Sequence, residues 1–144
     1  MGVGVTVHCD TLRVGLRTGP DIADITPLVT RVVEDAKIRD GSVHLNVVGS
    51  TASVTTIEFE PGAVADLKDA ICRLAPPDRP YAHEMTWHDG NGHSHVQAAL
   101  LGPSVVVGVR SSALRLGTWQ QIILINHDNR PRQRQVEVTV IGRT

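Results

Sequence analysis

Aromatic side chains are nearly missing from this 144-residue chain: one Phe, one Tyr and two Trp make up 3% of it. Val, Ile and Leu must therefore fill its interior. Cysteine is almost as scarce. Cys9 and Cys72 form no CxxC or other paired spacing, which excludes a disulfide framework and a cysteine zinc site and leaves two reduced structural thiols. Neither has the electropositive surroundings of a nucleophile, so covalent catalysis by a thiol has no support. Excess charge is lacking too: a net charge of −1 gives no field to hold a polyanion, which argues against nucleic acid as a partner. No window approaches eighteen apolar residues, and no basic region followed by an apolar one opens the chain. Neither a membrane span nor a secretory signal is read, and a cytoplasmic location is expected. G-x-S-x-G, P-loop, dinucleotide and HExxH motifs are absent. The opening "MGVGVT" fits a myristoylation pattern through Gly2 and Thr6, but Val3, Val5 and Val7 alternate straight into a strand, so no modification is expected.

What is present is an ordinary globular composition, 41% hydrophobic and 20% charged. One domain over residues 1–144 is expected, and at this length folding buries about 68–70% of the unfolded surface. Residues 3 to 17 alternate apolar and polar, as one bent strand or two short ones. In "DITPLVTRVVEDAKIRDG" the residues Ile25, Leu28, Val29, Val32, Val33 and Ala36 recur at helical spacing, with Thr26 as N-cap, Pro27 as first helical residue and Asp40-Gly41 as the stop. Strands follow at 42–48 and 51–59. A helix opened by Pro61 comes next, with Val64, Leu67, Ile71 and Leu74 on one face and Pro76-Pro77 at its end. Residues 75 to 92 form a long connection, which in a compact domain is more often functional or mobile than idle. "HSHVQAALLG" reads as a helix or as a strand, and its Ala and Leu residues favour the helix. Three further strands, in "SVVVGVR", "LGTWQQIILINHD" and "QRQVEVTVIG", suit an antiparallel meander. The class is α+β, antiparallel strands with interspersed helices.

Chemistry concentrates in "YAHEMTWHDGNGHSH", residues 81 to 95, which holds four of the seven histidines. His83, His88, His93 and His95 offer nitrogen donors for a divalent metal, and Glu58, Glu84 and Asp89 could add oxygen. The spacing decides little. Two residues apart on a helix, His93 and His95 point about 200° from each other, so a shared ion requires a strand or a helix entrance. "DGNGH" could instead offer backbone N–H groups to an anion, or be a plain turn. Thr118 and Gln120 in "LGTWQQ" share one face, a candidate for ligand or subunit contact or simply a solvated face. Arg130, Arg132 and Arg134 alternate into a strand, where a phosphate contact competes with a solvated strand edge.

Taken together and in order, "GSTASVTTIEFEPG", "YAHEMTWHDGNGHSHVQAALLGPS" and "LRLGTWQQIILINHDNRPRQRQVEV" resemble the YjbQ family, described as secondary thiamine-phosphate synthase enzymes. The resemblance implies an antiparallel β-sandwich with interspersed helices, assembled as a homotrimer with clefts near subunit contacts. It implies a phosphorylated small molecule as partner and the joining of an aminopyrimidine diphosphate to a thiazole phosphate, or alternatively a non-catalytic trimer that binds metal or anion. Glu58, His83 and His93 are the implied catalytic residues. Thr51, His95, Thr118, Trp119, Gln120, Arg132 and Arg134 are implied to bind substrate. His83, His93, His95 and Asp89 are candidates for a divalent metal, Mg or Zn. Many members carry a histidine and an asparagine where this chain has Gly49 and Ile57. Beside the resemblance, His88 and Glu84 fall back to the solvated reading.

Overall fold

A computed structural model describes residues 4–144, so the myristoylation pattern at Gly2 lies outside the described residues. Twelve elements follow in order among them: β1 Thr6–Leu16, β2 Asp21–Asp24, α1 Thr26–Ala36, β3 Asp40–Val48, β4 Ala52–Ile57, α2 Pro61–Leu74, α3 Glu84–Trp87, α4 Gly92–Leu101, β5 Ser104–Arg110, β6 Ala113–Leu114, β7 Gln121–Asn126 and β8 Arg132–Arg143. None of these helices is long and apolar enough to cross a membrane.

Strand pairing among the described residues is antiparallel throughout, in a five-stranded sheet ordered β1-β8-β3-β5-β6 and a three-stranded sheet ordered β2-β7-β4. The last three long strands are therefore not a meander. β5 and β8 sit in one sheet, both paired to β3, and β7 is the centre of the other. Local alternation fixes which face of a strand is apolar, but not which strand it meets. β3 shows the period well: Val43, Leu45 and Val47 are buried while His44 and Asn46 between them are exposed. β8 repeats this with Val136, Val138 and Val140.

These residues meet Val54, Ile122 and Leu124 of the smaller sheet and Val29, Val32, Val33 and Ala36 of α1 in one hydrophobic cluster. The apolar run "IILI" of β7 is buried on both faces. Ile122 and Leu124 face that cluster, whereas Ile123 and Ile125 join Ile22 and Ile71 in a second one, against which Val64 and Leu67 of α2 and Leu101 of α4 pack. Each fully buried side chain of this kind contributes about 1.5–3 kcal/mol.

Helix ends depart from the sequence reading. Thr26 is the first residue of α1, not its cap; its Oγ1 instead accepts from the backbone N–H of Ile122 (2.8 Å), tying α1 to β7. The helix stops at Lys37 in the left-handed conformation (φ 58°), and Asp40-Gly41 already belong to β3. For α2 the cap is Glu60, whose carboxylate accepts from the backbone N–H groups of Gly62 and Ala63. Leu74, at the last turn of α2, is exposed and not on the buried face, while Ile71 and Ala75 on either side of it are buried.

Candidate functional site

Three segments distant in sequence converge at one end of the three-stranded sheet: residues 49–53 leading into β4, the α3–α4 region, and residues 126–134 joining β7 to β8. The register brings Ala52 opposite Asn126 on β7. Between the segments opens a cleft of about 380 Å³ bordered by Thr51, Asp89, His95, Asp128, Arg132 and Arg134, with Gly49 on its wall.

Its floor is a network of buried polar groups. Arg134, which lies on an interior strand and not on a solvated edge, is 7% exposed. Its Nε and Nη2 donate to Asn126 Oδ1 (3.2 and 2.6 Å), and Nη2 also donates to Thr51 O and Oγ1 (3.0 and 2.6 Å). Every one of these acceptors is neutral. Nη1 has no acceptor among the described residues and lies where a Cβ on Gly49 would be only 3.0 Å away; Gly49 itself holds φ +136°, a conformation open to glycine. Burial lowers the Arg134 pKa and Asp128 partly offsets this, but a guanidinium stays protonated.

Asp128 belongs to Arg132, whose Nε donates to Oδ2 at 3.0 Å. Thr51 Oγ1 (3.0 Å) and Asn91 Nδ2 (3.2 Å) donate to the same carboxylate. Burial alone would raise this acid; the donors Asn91, Thr51 and Arg132 outweigh it and hold the carboxyl below its ordinary range.

Behind the cleft, His127 is sealed in. Gln97 Nε2 donates to Ala75 O (2.9 Å), which turns its Oε1 towards His127 Nδ1 (3.0 Å). His127 Nδ1 is thus the protonated nitrogen, and Nε2 accepts from Ser53 Oγ at 2.7 Å. Burial, with the nearby Arg134 and His93, pushes the His127 pKa down to about 4. Ser94 Oγ donates to the His127 carbonyl (2.6 Å) and lies 2.8 Å from Asn91 Oδ1. The Ser53-His127-Gln97 order matches that of an activated hydroxyl nucleophile, yet all three are buried, so it serves as scaffold and not as a reacting group.

The stretch 81–95 wraps the other wall. Its "DGNGH" turn does point amides at an anion, but the anion is internal: Glu84 accepts from Gly90 N–H (2.6 Å) and Gly92 N–H (2.9 Å). Glu84 is thus a clamp, not a solvated acid. Gly92 is needed because a Cβ there would overlap the Tyr81 side chain. His88 is exposed and left-handed (φ 51°), in keeping with the solvated reading.

His83 and His95 face each other with ring centroids 4.5 Å apart, and Trp87 stacks near His83 at 6.4 Å. His83 Nε2 is shielded from solvent and lies 3.3 Å from Asp89 Oδ1, close enough for an ion pair but misaligned for a hydrogen bond, so it has no hydrogen-bond partner. The Asn91 amide, foremost, and His83 hold the Asp89 carboxyl below its ordinary range. His83, Glu84 and Asp89 present ligand atoms within 4.8 Å of one another, but both Glu84 oxygens are committed to amides. That leaves His83 and Asp89 as the ligand atoms drawn together here, one nitrogen and one oxygen donor, with the His95 ring beside His83 but outside the group. His93 is turned away. Helical from Gly92 onward, α4 sends it from His95 towards Tyr81 (ring centroids 6.3 Å), and burial lowers its pKa although Glu84 and Asp128 pull the other way.

The remaining candidates lie elsewhere. Glu58 is exposed beyond the far end of β4, and Thr118, Trp119 and Gln120 are exposed just before β7, where Gln120 Nε2 donates to Thr56 Oγ1 (3.1 Å). With roughly 3.3–3.4 Å per strand residue, the run from Thr51 through β4 sets these groups about 20 Å or more from the cleft within one chain. Conversely, Asn91, Ser94, Gln97, Asn126, His127 and Asp128 belong to the site without standing out in the sequence. The available signal is "NHD" directly after the buried run "IILI", polar residues continuing a strand interior.

The same fold and the same order of segments occur in other proteins. A family model described as UPF0047 protein, YjbQ-like, matches residues 10–143. The chain is 34% identical over 145 residues to a UPF0047 protein of Methanothermobacter thermautotrophicus, covering 99% of each. It is 38% identical over 131 residues to one of Archaeoglobus fulgidus, covering 91% of this chain and 98% of that one. Among solved structures, a YbjQ-like protein of unknown function from Sulfolobus solfataricus P2 superposes with a TM-score of 0.92 at 32% identity, over 96% of this chain and 99% of that one. A hypothetical protein from Aeropyrum pernix K1 gives 0.82 at 30% identity, over 92% and 98%.

Proposed function

The chain belongs to the UPF0047 family of YjbQ-like proteins, and from that premise we propose that it binds and transforms a phosphorylated small molecule in the cleft between Gly49 and Arg134. One observation carries this reading: Arg134 is a buried cation whose hydrogen-bond acceptors are all neutral, while the neighbouring carboxylate, Asp128, is engaged by Arg132. Asp128 offsets the burial of this charge only in part and is itself bonded to Arg132, so an anionic ligand at Nη1 would supply the charged acceptor that Arg134 lacks. Nη1 of Arg134 and the terminal nitrogens of Arg132 are the guanidinium donors left for phosphate oxygens.

The reaction proposed is of the thiamine-phosphate synthase type. The C–O bond between the aminopyrimidine methylene and its diphosphate breaks, the electron pair leaves with pyrophosphate, and the thiazole nitrogen lone pair forms the new C–N bond; no electrons are gained or lost overall. In this reading the arginines hold the departing pyrophosphate. A divalent metal at His83, His95 and Asp89 would neutralise charge on the leaving group. Thr51 orients Arg134 and Asp128, and His93 supports the wall behind them.

Glu58, Thr118, Trp119 and Gln120 enter the proposal only through a second copy. If the loop end of one chain meets the cleft end of the next, Trp119 can lie against a ligand ring and Glu58 can approach the reacting centre. Such a contact would join two different surfaces head to tail, the kind that closes into rings, and a homotrimer is the assembly proposed.

Isothermal calorimetry with inorganic pyrophosphate tests the binding half. Wild type is expected to bind, and Arg134→Lys, which keeps charge but cannot both hold Thr51 and Asn126 and present Nη1, to bind at least tenfold more weakly; equal affinities would overturn the site. Thiamine phosphate formation from the two substrates tests the chemistry, with Glu58→Ala and His95→Ala expected to lose at least tenfold. Absence of turnover in wild type would leave the second reading, a non-catalytic trimer that binds metal or anion. That alternative is favoured by the position of Glu58 and His93, neither of which borders the cleft in one chain.

A further inference from the structure

Across Gly49 from the polar cleft lies a second hollow of about 250 Å³, lined by Ala52, Ala98, Ala99 and Pro103 and sharing Gly49, Ser50 and His95 with the first. Its character is different. Ala52 at the start of β4 and Ala98 and Ala99 of α4 contribute methyl groups, Pro103 contributes a ring, and the polar side chains are confined to Ser50 and His95 at the shared border. Gly49 stands at that border without a side chain, beside Arg134 Nη1. The cleft of about 380 Å³ lies near the lower end of the range of small-molecule sites, roughly 300–1,000 Å³, and the second hollow adds about 250 Å³ to it.

Resting on the anion reading above, we propose that the two hollows form one bipartite site whose ligand is a phosphate monoester of an apolar, ring-sized group: the phosphate at Arg132 and Arg134, the ring against Ala98, Ala99 and Pro103, with His95 between them. The small side chains are what determine specificity. A ring placed there removes apolar surface from water on both partners. A sugar placed there would bring hydroxyls against methyl groups that offer no hydrogen bond, and each such buried group is penalised. The site therefore discriminates by what it lacks as much as by its arginines.

Ala99 is exposed on the surface of α4, so a large residue there fills the hollow without disturbing the core. The test is calorimetry with phenyl phosphate, inorganic phosphate and ribose 5-phosphate on wild type and Ala99→Phe. Wild type is expected to bind phenyl phosphate at least tenfold more tightly than either other anion, with the more negative heat-capacity change of apolar burial. Ala99→Phe is expected to reduce that preference to about twofold or less while its affinity for inorganic phosphate is unchanged, which also reports an intact fold. Equal affinity of wild type for phenyl and inorganic phosphate, or a preference that survives Ala99→Phe, would overturn the bipartite site and leave the anion reading standing. Failure of all three anions to bind would overturn both.

Discussion

His127 illustrates how a single residue ties this site to its surroundings. It is held neutral between Ser53 and Gln97, with its pKa depressed to about 4 against an ordinary 6.5. Between those values the unfolded chain takes up a proton that the folded chain refuses. Stability from this group is therefore complete above about pH 6.5 and is lost as the pH falls towards 4, on the order of 3 kcal/mol at about 1.4 kcal/mol per pH unit. Urea denaturation from pH 7 to 4.5 is expected to show wild type losing stability more steeply than His127→Gln; identical slopes would show that another group dominates. Such residues are hard to read from sequence because burial gives them their character. "HDNRP" has the composition of a surface turn, and only the pairing of β7 with β4 shows that its first two residues are inside. His83, His95, Arg132 and Arg134 are legible as chemistry-bearing side chains. What is not legible is the burial of Arg134 among neutral partners, since Thr51 and Asn126 are contributed by other segments of the chain.

At the scale of elements, the wall formed by residues 81–95 depends on Glu84, which joins α3 to the first turn of α4 through two amides. In Glu84→Ala those N–H groups lose their acceptor, and hydrogen exchange is expected to quicken at Gly90 and Gly92 by tenfold or more while the amides of β7 stay protected. Unchanged exchange at the two glycines would mean that packing of Tyr81 against Gly92 suffices. Elements with a strong local pattern are legible: β3 from its alternation, α1 from its apolar stripe, α2 from Pro61 at its start. β2 is not, because four residues, Asp21–Asp24, with one buried side chain carry too little pattern. The short α3 hides within the long connection for the same reason. The helical course of α4, which its Ala and Leu residues favour, separates His93 from His95 and leaves His95 alone of the two facing His83.

For the whole molecule, the two groups of candidate residues lie at opposite ends of the three-stranded sheet, and a single chain leaves Trp119 71% exposed and Phe59 41% exposed. In the trimer proposed above, burial of that end against a neighbouring copy accounts for both. Sedimentation equilibrium is expected to give three times the 15.5 kDa chain mass, and Trp119→Glu to give monomers with unchanged circular dichroism. A wild-type monomer would remove Glu58 and Trp119 from the site. The α+β class is legible because class follows from the kinds of element present, but the strand order β1-β8-β3-β5-β6 is not, because it is set by pairings between distant segments. That order has a consequence during synthesis. β8 lies between β1 and β3, yet the ribosome makes it after every other strand of the sheet. At roughly 5–20 residues per second, β1 and β3 wait on the order of ten seconds with an open hydrogen-bonding edge, the interval in which a nascent chain of this kind is most exposed to pairing with the wrong neighbour.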